Sequence, residues 1–269
     1  MIRDITIGQY YPVKSKIHEL DPRTKILATF VYLISLFVFD NIVGYVIAGL
    51  FLCNVIKMSH VPIKFITKGL KAIFILLLIT VIFNLFLTPG EAVWSFWKFK
   101  ISYEGIIFAS FMACRLVLLI IGASIMTLTT TPNSLTDGIE SLLSPLKVIK
   151  VPSHEIAMMM SIALRFIPIL LEETDKIMKA QMARGADFEN GKLREKVKAL
   201  IPILIPLFIS AFKRAEDLAC AMEARCYNGG DGRTKFHPLK YKKVDAIAWF
   251  IILIYLGMGT CTIFVGLSI

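Results

Sequence analysis

The sequence predicts an all-α, polytopic membrane protein with about five transmembrane helices and long amphipathic helices on the cytoplasmic side. Three observations carry that expectation. Hydrophobic residues make up 56% of the 269-residue chain, and its mean hydropathy is +0.69, above soluble globular usage. The apolar residues fall in discrete runs that helices could use to enter a bilayer. The formal net charge is +10, and the Lys and Arg residues gather in alternate loops. A nucleic-acid binder would carry that charge as a surface footprint without long apolar runs beside it, so nucleic acid is not expected as a partner.

The runs are read in order. Residues 26–39 (ILATFVYLISLFVF) and 42–56 (IVGYVIAGLFLCNVI) are separated by Asp40-Asn41. Each is short against the roughly 20 residues of an untilted span. One long interrupted helix is an alternative to two short ones, but Asp-Asn at the centre of a single span would be costly, which favours a helical hairpin. Residues 69–87 and 104–128 are long enough to cross, and 245–267 (DAIAWFIILIYLGMGTCTIFVGL) makes the last span.

Orientation follows from the loops. The arm 1–25 carries five Lys/Arg, loop 57–71 carries four and segment 129–243 carries eighteen, against two in loop 88–103 and none after Val244. The positive-inside rule then puts the N-terminus and all three basic segments in the cytoplasm and the C-terminus outside. Trp94 and Trp97 would sit at the outer interface. No cleavable signal peptide is expected, because the first apolar run follows a charged arm and lacks a small-residue cleavage site. The five cysteines contain no C-x-x-C pattern, so neither a disulfide framework nor a metal knuckle is expected.

The chain thus divides into 1–128 (arm and four spans), 129–243 (a cytoplasmic segment) and 244–269 (the last span). Segment 129–243 does not read as a soluble domain. Its apolar stretches 156–171 and 199–212 are too rich for a water-facing surface, yet are interrupted by charge and by Pro168, Pro202 and Pro206. Helices with one apolar and one charged face explain this. Three are expected. The first is capped by Asn133 or Ser134, with Ile139, Leu142, Leu143 and Leu146 on one face. The second runs from an N-cap at Ser153 to Arg184, and the third from about Lys198 to Arg225.

The last two end alike. KAQMARGADF at 179–188 and CAMEARCYNG at 220–229 both contain Ala-x-x-Ala-Arg and then a small residue. Acidic residues precede each Arg: Glu172, Glu173 and Asp175 before Arg184, and Glu216, Asp217 and Glu223 before Arg225. A cation at a helix C-terminus is stabilising in itself, and Gly185 stands where a helix end wants positive φ. A dipole does not ask for Ala183 and Ala224, nor for the repetition. Small neighbours let a helix end enter a groove while the Arg fork reaches a carboxylate. Two such ends imply two similar acidic grooves on a dimeric or pseudo-dimeric cytoplasmic partner.

HELDPRTKIL at 18–27, TTTPNSLTDGIESLLSPLK at 129–147, HEIAMMMSIALRFIPILLEE at 154–173 and the two Ala-Arg motifs together resemble the transmembrane T component of energy-coupling factor (ECF) transporters. The resemblance covers nearly the whole chain. It implies a non-catalytic membrane scaffold that joins two ABC ATPases, as a heterodimer, to a separate substrate-binding S component in a prokaryotic cell membrane, for uptake of vitamins or related micronutrients. It implies that Arg184 and Arg225, with Ala183, Gly185, Ala224 and Cys226, end coupling helices that dock in grooves of the two ATPases. Cys226 fits a family in which Gly and Cys alternate after the second Arg. Asp21, Pro22, Arg23 and Lys25, together with Arg165 and Pro168, fall within the shared motifs. ATP would be held by the partners, and no cofactor or metal by this chain.

Other chemistry is set aside. His154-Glu155 begins like a zinc H-E-x-x-H, but Met158 stands where the second His belongs, which leaves helix-start polarity. GGDGRTK at 229–235 lacks the order of a P-loop. The Met158–Met160 run reads as packing, with adaptable side chains suited to several partners. Arg115, in the middle of the fourth span, needs a partner such as Asn84 or Asp40 and reads as an interhelical anchor. Arg165 would bind carbonyls freed by Pro168 or act at the substrate-subunit interface. A self-contained secondary transporter or channel would need polar groups converging at the midplane and a repeat of spans, and only Arg115, Asn84 and Asp40 qualify. A dedicated cobalt or nickel system is the alternative cargo.

Overall fold

The first apolar run starts as a helix because its entry is capped twice over. Asp21 Oδ1 accepts from the Arg23 amide at 2.9 Å, and Pro22 occupies the first helical position, where its missing N–H is no loss. The resulting helix α1 is Pro22–Val38. A computed structural model describes residues 10–39, 41–88, 92–96, 99–150, 152–186, 193–229 and 238–264. In chain order there follow α2 (Ile42–Ser59), α3 (Ile63–Leu87), a hairpin of β1 (Ala92–Phe96) and β2 (Phe99–Ser102), α4 (Tyr103–Thr129), α5 (Pro132–Leu143), α6 (Ser153–Ala183), α7 (Leu193–Ala224) and α8 (Lys243–Phe264). The all-α expectation holds, with one addition. Loop 88–103 contains an antiparallel hairpin pairing Ser95 with Lys100 and Phe96 with Phe99, with a bulge between Ala92 and Trp94. Trp97 lies outside the described residues, as does the side chain of Trp94, and with them the interfacial placement of both.

Runs 26–39 and 42–56 form two helices, α1 and α2, as the cost of a buried Asp-Asn requires. Among the described residues, four helices are long and apolar enough to span by length and composition: α2, α4, α6 and α8. Counted as one span across its 58° bend between Lys71 and Ile73, α3 makes a fifth. The number matches the expectation but the membership does not. At 17 residues α1 falls short of a full span, and α6 qualifies because its charges cluster after Leu171, leaving a long apolar first half. Three helix starts also differ from those expected, α7 beginning at Leu193 and not near Lys198. Thr131, not Asn133 or Ser134, caps α5, its Oγ1 accepting from the Ser134 amide at 3.3 Å with Pro132 following. Pro152 precedes α6, and Ser153 is its buried first residue.

The chain separates into two compact units, one formed by 8–138 with 239–269, the other containing 139–238. In the first, α4 packs along α3, α1 and α2, while α8 packs along α1 and α2. Its core is Tyr32, Leu36, Phe39, Tyr45, Ala48, Leu52, Ile125 and Tyr255. Apolar side chains gain little by leaving lipid for protein, so helices in a membrane associate through close packing and small residues. Phe39 illustrates this. It is 1% exposed, and its ring fills notches at Gly259 and Gly44, where an added Cβ would come within 2.0 and 2.9 Å of Phe39. Tyr32 fills a similar notch at Gly122. Polar ties reinforce the packing: Ser35 Oγ and Tyr255 OH lie 2.6 Å apart, and Asn41 Nδ2 donates to the Thr262 carbonyl at 3.1 Å. In the second unit α6 packs on α7, with Glu173 accepting from Ser210 and from Arg214 at 2.9 Å.

Candidate functional site

The two Ala-Arg motifs end their helices by the same mechanism. At the end of α6, the Ala186 amide donates to Gln181 O and the Gly185 amide to Met182 O, each at 3.0 Å. At the end of α7, the Tyr227 amide donates to Met222 O at 3.0 Å and the Cys226 amide to Glu223 O at 2.8 Å. These are the nested 6→1 and 5→2 bonds of a Schellman motif, which satisfy carbonyls that a helix end would leave free. Gly185 has φ 90° and Cys226 φ 57°, so both are the left-handed residue that closes the helix. The small residue after each Arg therefore has a backbone cause in addition to any need for close approach. Arg184 and Arg225 are the C-cap residues, one position ahead.

That cap geometry also displays the motif. Ala180, Ala183, Arg184 and Gly185 are exposed, as are Ala221, Ala224, Arg225 and Cys226. Neither the Arg184 nor the Arg225 side chain has a hydrogen bond or ion pair among the described residues. Each helix thus ends in an uncommitted cation flanked by small side chains, a surface that can accept a carboxylate in a groove. Between the helix starts and these ends, α7 carries a continuous exposed apolar face. Leu200, Ile201, Leu204, Ile205, Phe208, Ile209 and Phe212 recur at helical spacing, and Phe212 is 72% exposed. Arg165 on α6 is exposed and likewise makes no hydrogen bond among the described residues, so it is not engaged by carbonyls freed at Pro168. Of the segment after α7, Gly229 has φ 81°, and 230–235 lie outside the described residues.

The other shared motif, around Asp21, forms a joint in the first unit. While Asp21 caps α1, its own amide donates to Asp245 Oδ1 at 2.8 Å. Asp245 Oδ2 accepts from the Lys242 amide at 2.8 Å, closing the start of α8 as the acid of a capping box does. Lys25 is 7% exposed and donates from Nζ to Thr129 O at 2.9 Å and to His18 O at 3.1 Å. Thr129 is the last residue of α4, so the ammonium meets the negative end of that helix. Arg23 lies over the Tyr241 ring at 5.3 Å and reaches the Leu239 carbonyl. His18 bonds Tyr11 O through Nε2 and Ser15 Oγ through Nδ1, and burial holds its pKa below the ordinary value. Asp21, Pro22, Arg23 and Lys25 thus tie two helix starts and one helix end together. Asp245 was not foreseen as a member; its sequence signal is an acid in the first turn of an otherwise apolar helix.

Arg115 Nε donates to Tyr45 OH at 2.7 Å, and its guanidinium lies over the Phe37 and Tyr45 rings. Asn84 Nδ2 donates to Thr80 O within its own helix, and Asp40 lies outside the described residues. A phenol satisfies an intramembrane Arg because its ring face and its oxygen both attract the cation. His154 Nδ1 pairs with Glu140 Oε1 at 3.0 Å. Among the described residues no cluster of three or more His, Cys, Asp or Glu could hold a metal.

Apolar helices of spanning length define an integral membrane protein, and two of its long helices end in matched, exposed arginine caps. The family model described as cobalt transport protein, CbiQ, matches residues 13–237. The chain is 59% identical to the energy-coupling factor transporter transmembrane protein EcfT of Clostridium kluyveri, over 92% of this chain and 93% of the relative. The proteins of that name from Ruminiclostridium cellulolyticum and Bacillus subtilis are 54% and 49% identical, over 95% and 91% of this chain and 96% and 93% of theirs. The chain belongs to this family, the transmembrane components of energy-coupling factor transporters.

Proposed function

We propose that this chain is the non-catalytic coupling scaffold of an importer, joining two cytoplasmic ABC ATPases to a substrate-binding membrane subunit. The observation that carries the reading is the pair of matched, exposed caps, each presenting an uncommitted Arg on a small-residue helix end. A pair of homologous ATPases offers two similar grooves, and a carboxylate in each would give the guanidinium a bidentate partner. The distribution of basic loops favours an N-terminus and both caps in the cytoplasm and a C-terminus outside. In this reading α6 and α7 lie on the cytoplasmic side, and the apolar face of α7 between Leu200 and Phe212 receives the substrate subunit. ATP binding and hydrolysis would move the ATPases together and apart; Arg184 and Arg225 transmit that motion to α6 and α7, and these tilt or release the substrate subunit. ATP and its chemistry belong to the partners. The cargo belongs to the substrate subunit, a vitamin or related micronutrient.

The test is co-purification and uptake. Arg184→Glu or Arg225→Glu places a like charge against each acidic groove and should weaken ATPase retention and transport, the double variant more than either. Normal ATPase retention and uptake in the double variant would sink the reading.

A further inference from the structure

The two cap motifs stand at the ends of a longer correspondence between α6 and α7. Glu173 of α6 and Arg214 of α7 are 41 residues apart, the same separation as Arg184 and Arg225. These equivalent positions touch. Glu173 Oε2 accepts from Arg214 Nη2 at 2.9 Å, and Glu173 Oε1 accepts from Ser210 Oγ. Ser210 and Arg214 are one turn apart on α7, so one carboxylate is held from two points of one helix face. In a two-fold pair, equivalent positions meet each other at the axis. The cap arginines accordingly lie at equal distances from this contact, eleven residues along each helix. That is about 16 Å at the helical rise, and within about 20° of a whole number of turns. Neither 174–184 nor 215–225 contains Pro or Gly, whereas Pro168 and Pro206 both precede the contact. Each arm from contact to cap is unbroken helix, and the proline breaks lie on the far side.

We propose that Glu173, Ser210 and Arg214 form a positioning clasp, which fixes α6 against α7 at the spacing that lets both caps engage one ATPase pair together. This rests on the ATPase-docking reading and adds to it the element that sets the geometry of the two attachments. Stability is not the clasp's main contribution. The Arg214 and Glu173 side chains are 40% and 23% exposed, and ion pairs open to solvent add little to folding. Their effect is on registry. Sliding one helix along the other by a single residue would part the carboxylate from both donors. Two attachments joined by stiff arms reinforce each other when their spacing matches the two sites, and that gain falls when the spacing is loosely held. A cap that binds alone does not sense the spacing at all. Standing three turns from the caps, the clasp acts through the positions of Arg184 and Arg225.

The test titrates a purified ABC ATPase pair against the full chain in detergent, with the melting temperature of every variant measured alongside. Glu173→Gln and Arg214→Gln should each weaken binding about fivefold when both caps are present. The two changes together should do no more than either alone, because each breaks the same contact. On an Arg184→Glu background, where one cap remains, the same changes should alter affinity by less than about twofold. The reversed pair, Glu173→Arg with Arg214→Glu, should recover most of the lost affinity, and all melting temperatures should stay close to wild type. Unchanged affinity in both Gln variants, with Arg184→Glu still weakening binding, would overturn the clasp and leave the docking reading intact. Equal losses on the two backgrounds, or a melting temperature that falls with the affinity, would also overturn it, since neither depends on cap spacing. If Arg184→Glu alone leaves affinity unchanged, the docking reading fails and the clasp fails with it.

Discussion

Cys226 holds a backbone φ of 57° at the end of α7, where its counterpart on α6 is Gly185 at 90°. The left-handed conformation costs an L-residue about 1–2 kcal/mol, part of which glycine gives back as greater freedom when unfolded. Cys226→Gly is therefore expected to stabilise the α7 end by about 0.5–1 kcal/mol, read as a higher melting temperature, and to leave ATPase retention intact. A loss of retention at higher stability would mean that the thiol, not the turn, is what the partner meets. Asp245 raises the opposite case. It is 1% exposed and accepts from two amides, those of Asp21 and Lys242, which belong to two different helix starts. Asp245→Ala leaves both donors unmatched, at about 1–3 kcal/mol each. A loss of about 3 kcal/mol is expected in thermal unfolding, with Asp245→Asn recovering part of it through its remaining oxygen.

The helices of the first unit meet through glycine notches, and this sets what each tolerates. Gly259 and Gly257 lie two residues apart on α8; a Cβ at Gly259 would come within 2.0 Å of the Phe39 ring, while one at Gly257 meets nothing within 4 Å. Gly259→Ala is expected to cost about 1–3 kcal/mol through forced repacking, and Gly257→Ala to be neutral or slightly stabilising through helix propensity. Equal melting temperatures for the two variants would refute the notch. The same contrast explains what the sequence could and could not tell. Apolar run length located α1 to α4 and α8, since a helix that must satisfy its backbone in lipid needs an unbroken run. The Ala-x-x-Ala-Arg repeat located both caps, because positive φ after a helix has a short residue menu. Which glycine receives Phe39, or that Tyr45 rather than Asn84 meets Arg115, depends on the rotation of one helix against another. No local pattern encodes that. Asp245 was obscured for a related reason: an acid in a first turn is ordinary, and only the fold brings Asp21 beside it.

At the scale of the molecule, the proposed function gives stability and coupling to different groups, and this separation can be measured. The joint around Asp21, Lys25 and Asp245 is buried and hydrogen-bonded. Arg184 and Arg225 are exposed and uncommitted among the described residues. Surface substitutions away from caps, networks and cores change stability by less than about 0.5 kcal/mol, and a C-cap Arg adds at most a few tenths through the helix dipole. Arg184→Glu and Arg225→Glu should therefore leave the melting temperature of the isolated chain nearly unchanged while ATPase retention falls. The size of the fall depends on how two attachments combine. When one cap is lost, the other still tethers an ATPase pair at high effective concentration, so a single variant keeps measurable retention. With both caps lost no tether remains, and retention should drop by more than the product of the two single effects. Titrating an ATPase pair against the wild type, the single variants and the double variant, with each chain's melting temperature as control, measures this directly. Purely multiplicative losses would show that each cap binds its ATPase alone. A matching fall in melting temperature would instead assign the arginines to the fold.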